Sequence, residues 1–237
     1  MGVDGALLRR PAPRRAGLTF AKLLGTGDGR TFTLRDADLG HWGLLTCWVP
    51  PGDGHGVDGR SAGRHGDGSP DRPDDAADHG VLAGLEATRT VRAWDRLSHE
   101  RLRVVLRPLA SRGRWAGREP FGKPPPHRAE GPVASITRAR LRPRLARTFW
   151  RAVPPVSQDL HRVDGLRLAV GIGEAPVGLQ GTFSLWDDAR RLDAFAYRRA
   201  AHADVVRRTA ELGWYAEELF ARFAVVSIDG TFAGRAP

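Results

Sequence analysis

The chain has 237 residues, long enough to bury a core as one large domain or two small ones without covalent staples. Its single cysteine, Cys47, excludes an internal disulfide and a cysteine-built zinc site, and no apolar run approaches the roughly 18 residues of a membrane span. A formal net charge of +10 invites a polyanionic partner or an anionic membrane surface. The basic residues, however, are nearly all arginine, with Lys22 and Lys123 the exceptions, and they are scattered over every segment. A nucleic-acid module would cluster them and place aromatics between them, so a solvated surface outweighs specific nucleic-acid binding. Together with abundant Ala, Gly and Pro, the arginines read as the bias of a GC-rich genome. The opening MGVDGALLRRPAPRRAG lacks the apolar centre of a signal peptide, so a reduced, cytoplasmic setting is expected.

In chain order, GLTFAKLLGTGDGRTFTLRDADL (17–39) reads as a strand over 18–24, a glycine-rich turn and a return, followed by the apolar strand WGLLTCWV up to residue 49. Residues 51–79 hold almost no large apolar side chains and read as a disordered surface insertion. His55, His65 and His79 within it match no metal-ligand spacing. A helix at about 81–98 and a strand RLRVVLRPL from 101 follow. The segment SRGRWAGREPFGKPPP (111–126) mixes Trp115, Phe121 and basic side chains before a proline run. It is either a plain linker or a lid whose aromatics meet an apolar substrate and whose Arg118 meets an acid group.

PVASITRARLR (132–142) predicts a strand, PRLARTFWRAV (143–153) a helix ended by the double proline after it, and GLRLAVGI another strand. The run GIGEAPVGLQGTFSLWDD from Gly171 tests as a phosphate cradle and fails: its glycines fit no phosphate-loop register, and TFSL opens no helix. Instead it repeats residues 17–39. Both stretches share G-L-x-[FL]-A, a glycine, and T-F-[TS]-L-x-D, so the glycines make a strand-turn-strand connection used twice. TFSLW and AFAYR then read as strands flanking a short helix at 187–193, AAHADVVRRTAEL as a helix, and FARFAVVSI as the last strand. Trp214, Phe220 and Phe223 read as core, Tyr215 as a polar handle, and Glu217 and Glu218 as a solvated face.

The second pattern is βαββαβ, the ferredoxin-like unit, and the first copy supplies its later parts. The fold expected is therefore α+β. Two tandem ferredoxin-like units, 17–110 with the insertion at 51–79 and 132–234, are joined by a connecting loop over 111–131 and pack into one dimeric-α/β-barrel-type fold. Residues 1–16 are too polar to supply the first unit's opening strand and helix, so that unit reads as truncated at its start.

On the helix AAHADVVRRTAEL, His202 shares a face with Val205, Val206, Thr209 and Leu212 and so points inward. A single inward histidine is more often a satisfied core residue than a ligand, though a neutral imidazole on an apolar barrel wall also suits the proximal position of a haem. No serine, cysteine or second carboxylate is placed to complete a hydrolytic dyad or triad.

At these residues the chain resembles the spheroidene monooxygenase family, oxygen-dependent enzymes of carotenoid biosynthesis. The motifs that carry the resemblance include LLGTGDGRTFTLRDAD, WGLLTCW, GRWAGREPFG, PVASITRARLRP, GIGEAPVGLQGTFSLW, FAYRRAAHADVVRRTAELGWYAEELFARF and the terminal DGTFAGRAP. They cover the chain apart from its N-terminal region and the 51–79 insertion. The resemblance implies a haem-containing monooxygenase that uses molecular oxygen to place a hydroxyl or keto group on an acyclic carotenoid. It makes His202 the expected axial ligand of the haem iron, Arg118 a partner for a haem propionate, and Trp115 and Phe121 walls of the polyene channel. The electron donor is not implied. A water-insoluble substrate implies peripheral contact with the cytoplasmic membrane, and a homo-oligomer is compatible with the fold. The competing readings are a non-catalytic haem or apolar-ligand binding barrel and a cofactor-free barrel monooxygenase.

Overall fold

The computed structural model describes residues 17–27, 36–48, 88–125, 127–145, 160, 163–174, 181–198 and 212–237. By contacts the chain divides into two compact units, one of Met1–Ala21 with Thr46–His99, the other of Lys22–Leu45 with Glu100–Pro237. The described strands are β1 (Leu18–Gly27), β2 (Ala37–Trp48), β3 (Leu102–Gly113), β4 (Val133–Leu141), β5 (Leu166–Gly173), β6 (Gly181–Trp186) and β7 (Tyr215–Gly230). The helices are α1 (Arg89–Leu97) and α2 (Ala189–Arg198). The described residues are thus mostly antiparallel sheet with few helices.

In the first unit, Thr88 starts α1 by accepting the Val91 amide at 3.2 Å, and the Ser98 amide closes it on the Trp94 carbonyl at 2.7 Å. Where β1 and β2 enter this unit, the Thr19 hydroxyl donates to the Cys47 carbonyl at 3.2 Å.

The strands form one sheet in the order β2-β1-β5-β6-β4-β7-β3. The β1–β5, β5–β6, β6–β4, β4–β7 and β7–β3 ladders are all antiparallel. Residues directly opposite in such ladders share a face, which sorts the side chains into two sets. One face carries Val133 and Trp186, covered by Leu160 and by Leu192 and Phe195 of α2. Here Trp186 meets Phe195 at 5.5 Å between centroids, and its indole donates to the Ser184 hydroxyl at 2.9 Å. The other face, called the inner face below, carries Ala134, Ile136 and Arg138 beside Phe223, Ala221 and Leu219.

Of the strand-turn-strand repeat, the turns at 28–35 and 175–180 lie outside the described residues. Gly25 and Gly173, which occupy the same place in the two copies, are direct partners across β1 and β5.

Three expectations change. AFAYR is helical, the C-terminal part of α2, because Asp188 accepts the Arg191 amide at 2.9 Å and starts a helix that buries Leu192 and Phe195 at i and i+3. Ser111–Gly113 continue β3 rather than opening a loop, since β7 runs far enough to pair with them. For the same reason β7 begins at Tyr215, and Glu217 lies on a packed strand instead of a solvated face. The expected insertion at 51–79 and helix 200–212, apart from Leu212, lie outside the described residues.

Candidate functional site

β3 and β7 end in the same device. Gly113 closes β3 at φ 91° and Gly230 closes β7 at φ 93°; Trp115 then bridges Arg118, and Phe232 bridges Arg235, across two-residue turns. Their central residues, Ala116 and Gly117 (φ 53° and 73°) and Ala233 and Gly234 (φ 52° and 74°), are all left-handed, the signature of a type I′ turn. An alanine in that region is strained, and each turn has the same compensation. Glu217 accepts from the Ala116 and Gly117 amides at 3.0 and 2.7 Å, and Glu100 accepts from the Ala233 and Gly234 amides at 2.8 and 2.6 Å. Each glutamate precedes or opens the strand that pairs with the other turn's strand, so the capping is reciprocal across the β3–β7 ladder. Two amides converging on one carboxylate form a small anion nest.

Only around Trp115 is this device built into a buried polar cluster. Arg138, on β4, pairs through Nη1 with Glu217 and through Nη2 with Glu174 at 2.7 Å. Glu174, just past β5, also meets Lys22 of β1 at 2.8 Å and accepts the Trp115 indole N–H at 2.5 Å. The Arg138 guanidinium lies 5.4 Å from the centroid of the Trp115 ring. Side-chain exposure is 4 % for Arg138, 10 % for Glu217, 12 % for Lys22 and 24 % for Glu174, so two cations and two carboxylates balance in a largely enclosed site. Burial pushes the carboxyls of Glu174 and Glu217 up, but it is outweighed. Lys22, Trp115 and Arg138 bring Glu174 below its ordinary value, and the Gly117 and Ala116 amides with Arg138 do so for Glu217. Both are thus held ionised and committed to partners, which suits them to positioning rather than to general acid catalysis. The Arg138 Nε–H is buried and has no hydrogen-bond partner among the described residues.

The sequence-predicted residues divide. Trp115 is 1 % exposed and forms the aromatic centre of this cluster. Phe121 is half-buried and meets Phe223 edge-on at 4.8 Å, which places it over the same inner face. Arg118 closes the turn through its backbone and its side chain is exposed. His202 lies outside the described residues. Sequence reasoning missed Lys22, Arg138, Glu174, Glu217 and Glu100; the signal available was the recurrence of G-x-[WF]-A-G-R at 113–118 and 230–235.

At the Phe232 end the polar partners are different. His41 of β2 gives Nδ1 to Asp38 at 2.7 Å, faces Glu100 with Nε2 at 3.5 Å, and lies 4.7 Å from the Phe232 ring centroid. The Thr231 hydroxyl donates to Glu100 at 2.7 Å.

No family model matches the sequence. The chain is 31% identical to the spheroidene monooxygenase of Rhodobacter capsulatus, over 98% of this chain and 85% of that one. It is 36% identical to the spheroidene monooxygenase of Rubrivivax gelatinosus, over 95% and 75%. The chain belongs to the spheroidene monooxygenase family. It is accordingly a monooxygenase, an oxidoreductase. The spheroidene monooxygenase of Cereibacter sphaeroides is 29% identical over 92% of this chain and 59% of that one. Likeness to solved structures is distant: a TM-score of 0.40 with a Fusobacterium nucleatum monooxygenase candidate, 9% identical over 91% of this chain and 79% of that one. With an anthrone oxidase-like protein it is 0.32, 15% identical over 98% and 88%.

An axial ligand for a haem in this spheroidene monooxygenase family member requires an uncommitted donor on an apolar wall. Among the described residues, His41 has both ring nitrogens facing carboxylates, and His99 and His127 are exposed. Burial pushes the Cys47 thiol up to about 12, which opposes a thiolate ligand. Among the described residues no histidine or thiolate is thus placed as such a ligand, and His202, the ligand expected from the sequence, lies outside them. No described group of three or more His, Cys, Asp or Glu side chains is placed to hold a metal ion, and no described helix is long and apolar enough to cross a membrane.

Proposed function

We propose that this protein places a hydroxyl or keto oxygen on an acyclic carotenoid, with molecular oxygen as co-substrate. The observation that carries this reading is the identity of 31% and 36% to two spheroidene monooxygenases along nearly the whole chain. In such a reaction one oxygen atom enters a C–H bond of the substrate and the other leaves as water, with two electrons and two protons from a separate reductant. A haem iron, when bound, would supply the activation of oxygen, and His202 is the residue proposed to hold it. Arg118, exposed and close to Trp115 in sequence, is the proposed partner of a haem propionate.

The chain's own described residues have a clearer task. The inner face packs Leu219, Ala221, Phe223, Ile136 and Ala134 beside Phe121, these five each no more than 3 % exposed, so a long apolar chain would reach them only where the cover over this face opens. Phe121 is the proposed channel wall, and Trp115 its anchored support. The cluster of Lys22, Arg138, Glu174 and Glu217 fixes that wall and leaves no uncompensated charge near a polyene. The order β5-β6-β4-β7 supports reading the second half as a ferredoxin-like unit, paired with a first unit in a dimeric-α/β-barrel-type fold. Such a water-insoluble substrate also favours peripheral contact with a membrane surface.

The test is the visible spectrum of purified protein with added haem, beside His202→Ala, followed by turnover of spheroidene with a chemical reductant. A sharp haem band lost in the variant, with products that have gained oxygen, is the expected result. A band without products would make this a binding protein, and products without a band a cofactor-free oxygenase.

A further inference from the structure

The segment from Arg114 to Phe121 has the build of a hinged flap. Gly113 and Gly122, both at positive φ (91° and 58°), bracket it, and its two aromatics are the groups that reach the inner face. Four tethers hold it: the Arg114 amide on the Glu218 carbonyl at 2.7 Å, the Trp115 indole on Glu174, the Phe121 ring on Phe223, and the Ala116 and Gly117 amides on Glu217. Glu217 is the tether that joins the flap to the rest of the cluster, because the same carboxylate also meets Arg138, which meets Glu174. Charge-assisted bonds of this kind are the stronger class of hydrogen bond, and this carboxylate receives three.

We infer that Glu217 is a positioning residue for the monooxygenase reaction: it latches the Arg114–Phe121 flap over the buried inner face, and reseating that flap over an admitted substrate fixes how a long apolar chain lies there. This rests on the carotenoid reading above. Glu100 is its natural control. It caps the equivalent turn with the same pair of backbone amides, but its other partners are His41 and Thr231 in place of Arg138.

The experiment compares Glu217→Gln with Glu100→Gln under limited trypsin digestion of the native protein, where Arg114 and Arg118 are the exposed cleavage points of the flap. Expected is a rise of roughly tenfold in cleavage at these two residues in Glu217→Gln, with none in Glu100→Gln. A carotenoid dispersed in detergent should slow that cleavage in the wild type, against detergent alone. In turnover, Glu217→Gln should raise KM severalfold, leave kcat within about twofold, and spread the site of oxygen insertion. Glu217→Asp, which keeps the charge but shortens the reach, serves if the glutamine variant does not fold, and should show the same trends. The inference is overturned if carotenoid gives the wild type no protection, if Glu217→Gln is cut no faster than wild type, or if Glu100→Gln opens the flap equally. Protection of the flap without turnover would sink the proposed reaction and leave the latch standing.

Discussion

The Trp115 and Phe232 turns share one backbone and differ in the side chains that surround it. Each follows a positive-φ glycine, puts an alanine in the left-handed region, and offers two amides to a glutamate from the facing strand. At the first, the glutamate lies in an enclosed, charge-balanced network on the inner face; at the second, it meets a histidine and a threonine near solvent. The same turn therefore recurs at the ends of β3 and β7, while side chains from other strands give the two turns different surroundings. Arg138 makes the difference, since it comes from β4 and reaches both Glu217 and Glu174.

The largest effect expected follows from that residue. Arg138→Met would leave two carboxylates enclosed near one another, with Lys22 remaining on Glu174 alone. Removing one partner of a buried ion pair costs more than the pair itself contributes, because the other charge remains without its solvation, and a loss of about 3 kcal/mol is expected. Denaturant unfolding measures it. A loss no greater than that of an exposed pair such as Arg103 with Asp229, 3.0 Å apart, would mean that the Trp115 end is as solvated as its twin.

A smaller effect tests what the two ends share. A Cβ added to Gly113 would run into the Glu218 carbonyl, and one added to Gly230 into the Arg101 carbonyl, both at a φ that side chains rarely adopt. Gly113→Ala and Gly230→Ala should each cost roughly 2 kcal/mol, and nearly the same amount, when their unfolding curves are compared with wild type. Unequal losses would show that the surroundings, rather than the backbone, set the strain.

The same contrast explains what could be read from the sequence. The repeat of 17–39 in the second half is a sequence pattern carried by local signals, turn glycines and short β-rich runs, and of its positions Gly25 and Gly173 pair directly across β1 and β5. Trp115 and Phe121 stood out as aromatics in a glycine- and arginine-rich segment, and both do reach the inner face. The ion network was not legible. Arg138 and Glu217 are 79 residues apart, and nothing local distinguishes Glu217 from its neighbour Glu218 until the β3–β7 register puts it beside the turn. AFAYR misled because aromatic and alanine residues fit either period, and Asp188, several residues upstream, decided for the helix.

The smallest effect is one of pH, and it should appear at one end alone. His41 has its pKa raised, first by its hydrogen bond to Asp38, against the opposing effect of burial, and further by the charge of Asp38 and by Glu100. A histidine raised in this way adds stability that is complete below its ordinary value of 6.5 and is lost as pH rises through its value in the folded protein. Glu174 and Glu217 are lowered instead, so their contribution is present above the ordinary carboxylate range and fades only in acid. Between about pH 6 and about pH 9 the Phe232 turn should therefore loosen while the Trp115 turn holds. Amide hydrogen exchange, corrected for the intrinsic rate, reads both at once: Ala233 and Gly234 lose protection and Ala116 and Gly117 keep theirs. His41→Asn should remove the pH dependence at Ala233 and leave Ala116 as before. Equal loosening at both turns would place a titrating group in the Trp115 cluster, and no loosening at either would mean that Glu100 holds its turn without help from the imidazolium.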